Sequence, residues 1–155
     1  DLIRGIGVYC GLKPIIVDGA TGLWNTNYEG KVQAAIDALN DGCDFVFLHI
    51  EASDEAGHEG DFELKKRTIE TLDSRVCAPI LEAIKNMDEP VSIAVLPDHP
   101  TPCSIRTHSS SPVPFLIYRP DCVPDSIDSL SERTAGNGAF GTMKDDEFIT
   151  EFLKK

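Results

Sequence analysis

Short, almost continuously apolar runs alternate along this chain with segments whose apolar residues recur at helical spacing. The runs Phe45–Ile50 and Val91–Leu96 are typical of strands that are covered on both faces, and Ile15–Val17 and Pro114–Tyr118 are shorter runs of the same kind. The apolar positions from Leu64 to Ile84 predict a long amphipathic helix between the two main strands. This alternation predicts an α/β sandwich.

Weaker patterns predict three more helices. The first follows Leu2 and ends near Cys10, the second is capped by Asn27 and ends near Gly42, and the last covers Asp145 to Leu153. The acidic, Ser-, Gly- and Pro-rich stretch 120–141 predicts surface loop with one turn of helix. At 155 residues and 41% hydrophobic, the chain can build one core, so we expect a single domain, residues 1–155.

The charge balance argues against nucleic acid as a partner and raises the question of how the chain would bind an anionic substrate. With 14 basic against 26 acidic residues and a net charge of −12, the chain lacks the basic face that nucleic acid requires. An anionic substrate would need bound metal ions or a few aimed arginines. No apolar run approaches the roughly 20 residues of a membrane span, and no leader pattern is present, so we expect a cytoplasmic protein. Five widely spaced cysteines suggest neither a disulfide framework nor a zinc knuckle, and we expect buried thiols.

Side chains that can bind metal follow the predicted strands. They are Asp54, His58, Asp98, His99 and His108. If the strands run parallel, their carboxyl ends meet at one edge of the sheet and these groups converge. Each residue alone is more often a helix cap or a solvated loop residue, but their coincidence favours a two-metal site. Carboxylate and imidazole ligands together suit manganese, zinc or iron better than magnesium.

Three basic residues are candidates for binding an anionic substrate. Arg106 lies on the same loop as His108, which favours a role at the site, whereas Arg4 is equally well interpreted as a surface helix residue. Lys31, at a helix start, is expected to be a solvated charge. His49, inside an apolar run, is expected to be a core histidine.

Three ordered motifs resemble those of a known family. They are Asp54-Glu55-Ala56-Gly57-His58, Leu96-Pro97-Asp98-His99-Pro100-Thr101-Pro102, and His108 followed by Pro112 to Tyr118. They are similar to the metal-binding motifs of the alkaline phosphatase superfamily, and within it to the archaeal-type cofactor-independent phosphoglycerate mutases. The stretches 1–7, 19–22 and 26–31 also resemble that branch, so the match extends to about Tyr118.

The resemblance implies a fold and a set of ligands. The fold would be a three-layer sandwich with a mostly parallel sheet, of which this chain is the C-terminal segment, without the N-terminal strand, the nucleophilic Ser and the cap domain. Asp54, His58 and His108 would hold one divalent ion, and Asp98 with His99 would supply half of a second site. Manganese is the expected metal and zinc the alternative.

The resemblance also implies a reaction. The longer enzyme would interconvert 2- and 3-phosphoglycerate through a phosphoserine, without a bisphosphoglycerate primer, and this segment alone would be inactive. Two alternatives stay open: another phosphoryl-transfer enzyme of the superfamily, such as a phosphatase, phosphopentomutase or homoserine kinase, and a metal-free binding module. The expected partner is a small phosphorylated substrate, and an apolar strip left uncovered by the absent strand would favour self-association.

Overall fold

Helices make up most of the regular structure in this computed structural model, which describes residues 2–154. The helices are α1 (Leu2–Tyr9), α2 (Tyr28–Asn40), α3 (Ala52–Glu59), α4 (Phe62–Leu72), α5 (Ala78–Ile84) and α6 (Glu147–Phe152). A π-helical turn covers Asp73–Cys77 and a 3₁₀ turn covers Ala135–Asn137. Two short strands, β1 (Ile93–Val95) and β2 (Leu116–Tyr118), form a small sheet. The described residues thus form a mixed α/β structure in which helix predominates.

The described residues form two compact units. Unit 1 comprises the described residues up to Ala56 together with Phe62–Lys85, and unit 2 comprises Gly57–Asp61 and the described residues from Asn86 onward. The core of unit 1 is built around Tyr28, which is fully buried against Val32, Ala52 and Val76. In unit 2 the rings of Phe140 and Phe148 both pack against Phe115.

Helix α2 begins where the sequence predicts. The Asn27 side chain accepts a hydrogen bond from the Gly30 amide at 2.9 Å and donates to the Asp18 carbonyl at 2.8 Å. A Cβ at position 30 would lie 2.3 Å from Asn27 Nδ2, so only glycine lets the cap approach this closely. The cap fixes the first turn of α2, which carries Tyr28 and Lys31.

The long helix predicted over 64–84 is present, but a π turn divides it. Its buried positions Thr68, Val76 and Ile84 are spaced by multiples of four. In a regular α-helix, residues four positions apart point in directions that differ by about 40°, so positions at this spacing gradually leave the buried face. The π turn has more residues per turn, which brings the later positions back towards the buried face. Pro79 lies just beyond the π turn and lacks the amide that would bond to the Arg75 carbonyl.

The observed strand pair runs antiparallel, and the mostly parallel sheet that was expected is not confirmed among residues 2–154. Ile93 pairs with Tyr118, Ala94 with Ile117 and Val95 with Leu116. The carboxyl end of β1 therefore lies beside the amino end of β2, and residues 96–115 form one loop that connects neighbouring strand ends. This is the only sheet among residues 2–154.

The predicted strands at 15–17 and 45–50 form no ladder within the described part of the chain. A strand needs a neighbour for its backbone groups, and none of the described residues supplies one. Phe47 is 60% exposed and Ile16 is 71% exposed, so the covered strand expected at 45–50 is not observed in this part of the chain.

Two smaller expectations can also be compared with the structure. No cysteine is buried, although the thiols of Cys77 and Cys103 are partly covered, and none of the five forms a disulfide. Among the described helices, none has the length and apolarity to cross a bilayer.

Candidate metal centre

Helix α3 carries two of the predicted metal ligands. Asp54 and His58 are four residues apart, which places them one above the other on the same helical face. Ala52 and Ala56, each 1% exposed, form the buried face. The small alanines allow this segment to pack closely as a helix.

Glycine ends α3 directly after the second ligand. Gly60 has a φ of +74°, a left-handed conformation, and its amide bonds to the Gly57 carbonyl at 3.0 Å. A Cβ at this position would lie 2.4 Å from Nε of Arg106. Gly60 therefore both terminates the helix and leaves room for the Arg106 side chain.

The loop 96–115 brings together the remaining candidates. His99 follows β1 and His108 precedes β2, and their ring centroids are 3.7 Å apart. His99 and His108 lie together because this loop connects the neighbouring ends of two antiparallel strands, and not through the alignment of parallel carboxyl ends.

His58 is oriented by two contacts. Its Nδ1 lies 3.1 Å from the carbonyl oxygen of Arg106, and because a carbonyl only accepts, Nδ1 carries the proton. In the neutral ring Nε2 then presents a lone pair, and this atom lies 3.1 Å from Nε2 of His108. A backbone carbonyl that fixes the tautomer of an imidazole is the usual support of a metal-binding histidine.

The geometry of the three side chains fits a shared cation. One ligand atom from each of Asp54, His58 and His108 lies within 4.8 Å of the others. Ligands held at 2.0–2.2 Å around a tetrahedral ion are separated by roughly 3.3–3.6 Å. The observed spacing requires only small side-chain adjustments, and two imidazole nitrogens with one carboxylate are a donor set for a first-row transition metal.

Asp98 and His99 form a pair beside this cluster. The His99 amide donates to Asp98 Oδ1 at 2.9 Å, and His99 Nε2 lies 3.4 Å from Asp98 Oδ2. The buried hydroxyl of Thr101 lies 3.3 Å from His99 Nδ1. Among residues 2–154 this pair belongs to no group of three potential ligands.

Arg106 contributes through its backbone as well as its side chain. It has a φ of +52°, which is rare for a residue with a Cβ, and this conformation accompanies the contact of its carbonyl with His58. Loop composition gives no signal for this positioning role, so the sequence predicted only the charge of Arg106.

Lys31 is not the solvated charge that was expected. It is half-buried, and its Nζ donates to the His49 carbonyl at 3.0 Å. Burial lowers the pKa of Lys31, Glu51 opposes this effect, and the positive charge of Arg4 adds to it. Lys31 lies between Tyr28 and Val32, two buried positions of α2, and this spacing is the sequence feature that could have predicted its partial burial. Arg4 itself is an exposed residue of α1.

Comparison with known proteins gives a consistent family. The model of the metalloenzyme superfamily matches residues 2–151. The chain is 52% identical over 155 residues to the 2,3-bisphosphoglycerate-independent phosphoglycerate mutase of Methanosarcina mazei, covering 99% of this chain and 39% of the relative. The enzyme of the same name from Methanothrix thermoacetophila is 47% identical, with 96% of this chain and 38% of the relative covered.

A solved structure is similar as well. The PH0037 protein from Pyrococcus horikoshii aligns with a TM-score of 0.90 and 36% identity, covering 98% of this chain and 45% of that one. The resemblance to the archaeal-type mutases is thus confirmed, and the chain spans less than half the length of these relatives.

Proposed function

Because the chain belongs to the metalloenzyme superfamily, we propose that it is the metal-holding part of a 2,3-bisphosphoglycerate-independent phosphoglycerate mutase. The observation that carries this proposal is the cluster of Asp54, His58 and His108. Together with the family, the cluster points to a divalent metal. Similarity to the Methanosarcina mazei mutase supports the choice of reaction, and the covered 39% of that enzyme supports the view that the active protein is longer.

Each site residue has a role in this proposal. Asp54, His58 and His108 would hold one ion, and Asp98 with His99 would supply half of the ligands of another. The mixed nitrogen and oxygen donors favour manganese, with zinc as the alternative. When bound, the two ions would neutralise the phosphate and stabilise an attacking serine alkoxide.

The residues of this chain would mainly bind and orient. The Arg106 carbonyl keeps His58 in the tautomer whose Nε2 faces the cluster. The side chains of Arg4 and Arg106 would bind the phosphate or carboxylate of phosphoglycerate, offsetting the chain's net charge of −12. The nucleophilic serine would come from a segment outside these 155 residues, and the phosphoserine would make a bisphosphoglycerate primer unnecessary.

The longer protein would complete the sheet. In this proposal residues 1–155 are the C-terminal segment of a three-layer sandwich, and segments 15–17 and 45–50 become strands of its mostly parallel sheet. The unpaired state of these segments supports this view, as does the Pyrococcus horikoshii chain, of which 45% aligns with this one. The compartment would be the cytoplasm.

Metal binding tests the site directly. We expect calorimetric titration of the chain with manganese or zinc to show one strong site per chain. His58→Ala should weaken it by at least about tenfold, because it removes a ligand. Arg106→Gly should leave it unchanged, because the carbonyl that orients His58 remains and glycine tolerates the positive φ.

His49→Ala provides the matched control. His49 lies outside the cluster, and the carbonyl that accepts from Lys31 is retained in the variant. Equal affinities of the His58→Ala variant and the unmodified chain would refute the assigned ligands.

An activity assay tests the reaction. The longer protein with manganese should interconvert 2- and 3-phosphoglycerate without added bisphosphoglycerate, and this chain alone should not. A measurable mutase rate from the 155 residues alone would contradict the proposal that the reaction requires a serine outside them.

A further inference from the structure

Unit 1 contains a cavity that the proposed function does not use. Its volume is about 310 Å³. It lies between the loop at 24–26 and one face of the α4–π-turn segment. The lining residues are Trp24, Asn25, Thr26, Leu64, Arg67, Thr68, Thr71 and Arg75. A volume of this size is at the lower end of the range for small-molecule sites.

Some polar groups of this cavity already have partners. Both nitrogens of Arg75 that face Glu29 bind its carboxylate, at 2.6 and 2.7 Å. The Thr68 hydroxyl donates to the Lys65 carbonyl, and the Thr26 hydroxyl accepts from the Thr21 amide. Arg75, Thr68 and Thr26 therefore line the cavity with polar groups that are already bonded within the chain.

Three hydrogen-bond donors of the cavity remain available. Within residues 2–154, Asn25, Arg67 and Thr71 make no side-chain hydrogen bond or ion pair. Arg67 is exposed and unpaired in a chain with 26 acidic and 14 basic residues. An amide, a guanidinium and a hydroxyl that all border one cavity are suited to an anion.

The cavity also presents an aromatic surface. Trp24 is 57% exposed, and its carbonyl accepts from the hydroxyl of the fully buried Tyr28 at 2.8 Å. The hydrogen bond attaches the backbone of this loop to the core of unit 1. An exposed indole beside a guanidinium provides a stacking surface next to a charged group.

We propose that this cavity binds a small phosphorylated compound with a planar ring, of about the size of a nucleoside monophosphate. The phosphate contacts Arg67 with help from Asn25 and Thr71, and the ring lies against Trp24. None of these residues belongs to the metal cluster, so this inference and the proposed function can fail independently.

The only tryptophan of the chain lies in this cavity, which gives a specific readout. Adenosine monophosphate, titrated into the full chain in the presence of EDTA, should change the Trp24 emission saturably. EDTA removes metal ions that would otherwise bind the phosphate at the other site. Adenosine and inorganic phosphate should each bind more weakly than the monophosphate.

Variants separate specific binding from general charge effects. Arg67→Gln should weaken binding by about tenfold or more, while Arg133→Gln, which changes an exposed arginine in unit 2, should not. Thermal unfolding should show that both variants fold like the unmodified chain, since Arg67 has no partner to lose.

Three results would overturn the proposal. They are emission that does not saturate, equal affinity of Arg67→Gln and the unmodified chain, and binding of adenosine or of inorganic phosphate as tight as that of the monophosphate. The last result would mean that the cavity does not recognise the phosphate, or does not recognise the ring.

Discussion

Backbone carbonyls position two polar side chains in this chain. The Arg106 carbonyl fixes His58, and the His49 carbonyl accepts from Lys31. A side-chain substitution at Arg106 or His49 keeps the carbonyl in place. The residue type at position 49 or 106 therefore gives little indication of what its backbone carbonyl does. For this reason the sequence predicted the candidate ligands but not the carbonyl groups that orient the side chains.

The depressed pKa of Lys31 can be measured directly. In an NMR titration of the Lys31 side chain we expect a midpoint below 10.5, because burial disfavours the ammonium form. Glu51→Gln removes the charge that favours the ammonium, so the midpoint should fall further. A midpoint at or above 10.5 would show that Lys31 is solvated after all.

At the scale of elements, an ion pair between Glu29 and Arg75 links helix α2 to the π turn. Arg75 binds Glu29 through two hydrogen bonds, and its guanidinium lies 4.9 Å from the centroid of the Tyr28 ring. The bidentate pair with Arg75 lowers the pKa of Glu29 to about 2. Both side chains are largely exposed, so salt will screen the interaction.

The pair gives a pH dependence with a definite sign. The pKa of Glu29 in the folded chain is below its unfolded value of 4.5, so its contribution to stability is complete above pH 4.5 and is lost as the pH falls towards 2. In Arg75→Met, which keeps an unbranched side chain beside Tyr28, the loss of stability between pH 4.5 and 2 should be smaller. Chemical denaturation at a series of pH values measures this. Equal losses in both proteins would mean that the pair contributes nothing.

At the scale of the whole molecule, predictions from local chemistry were confirmed and predictions about strand pairing were not. The Asn27 cap, the 3₁₀ turn within 120–141 and the last helix were predicted, because capping and turn residues act over a few positions. The parallel sheet was not confirmed, because an apolar run such as 45–50 indicates burial but not the identity or direction of its neighbour. Asp54, His58 and His108, which the sequence analysis grouped as candidate ligands of one ion, lie close together, and their role as ligands stays a prediction.

Apolar side chains in the unpaired segments should be detectable in solution. Ile16 is 71% exposed and Phe47 is 60% exposed, so the chain should bind a hydrophobic dye and associate with itself at high concentration. Replacing both by Ser should reduce dye fluorescence and association, as measured by dye titration and light scattering. Val123→Ser is the control, because Val123 is 95% exposed but lies outside these segments. Unchanged dye binding in the double variant would mean that another surface is responsible.

Strands β1 and β2 pair through only three residues on each side, yet they close the loop that carries Asp98, His99 and His108. A slip of one residue in this pairing would move one end of the loop by about 3.3 Å, so the 3.1 Å approach of the facing nitrogens of His58 and His108 would not be kept. If the cluster binds metal as proposed, its affinity should therefore respond to strand register alone. Substitutions at the paired positions Ile93 or Tyr118 are a way to change the site while every ligand is left intact.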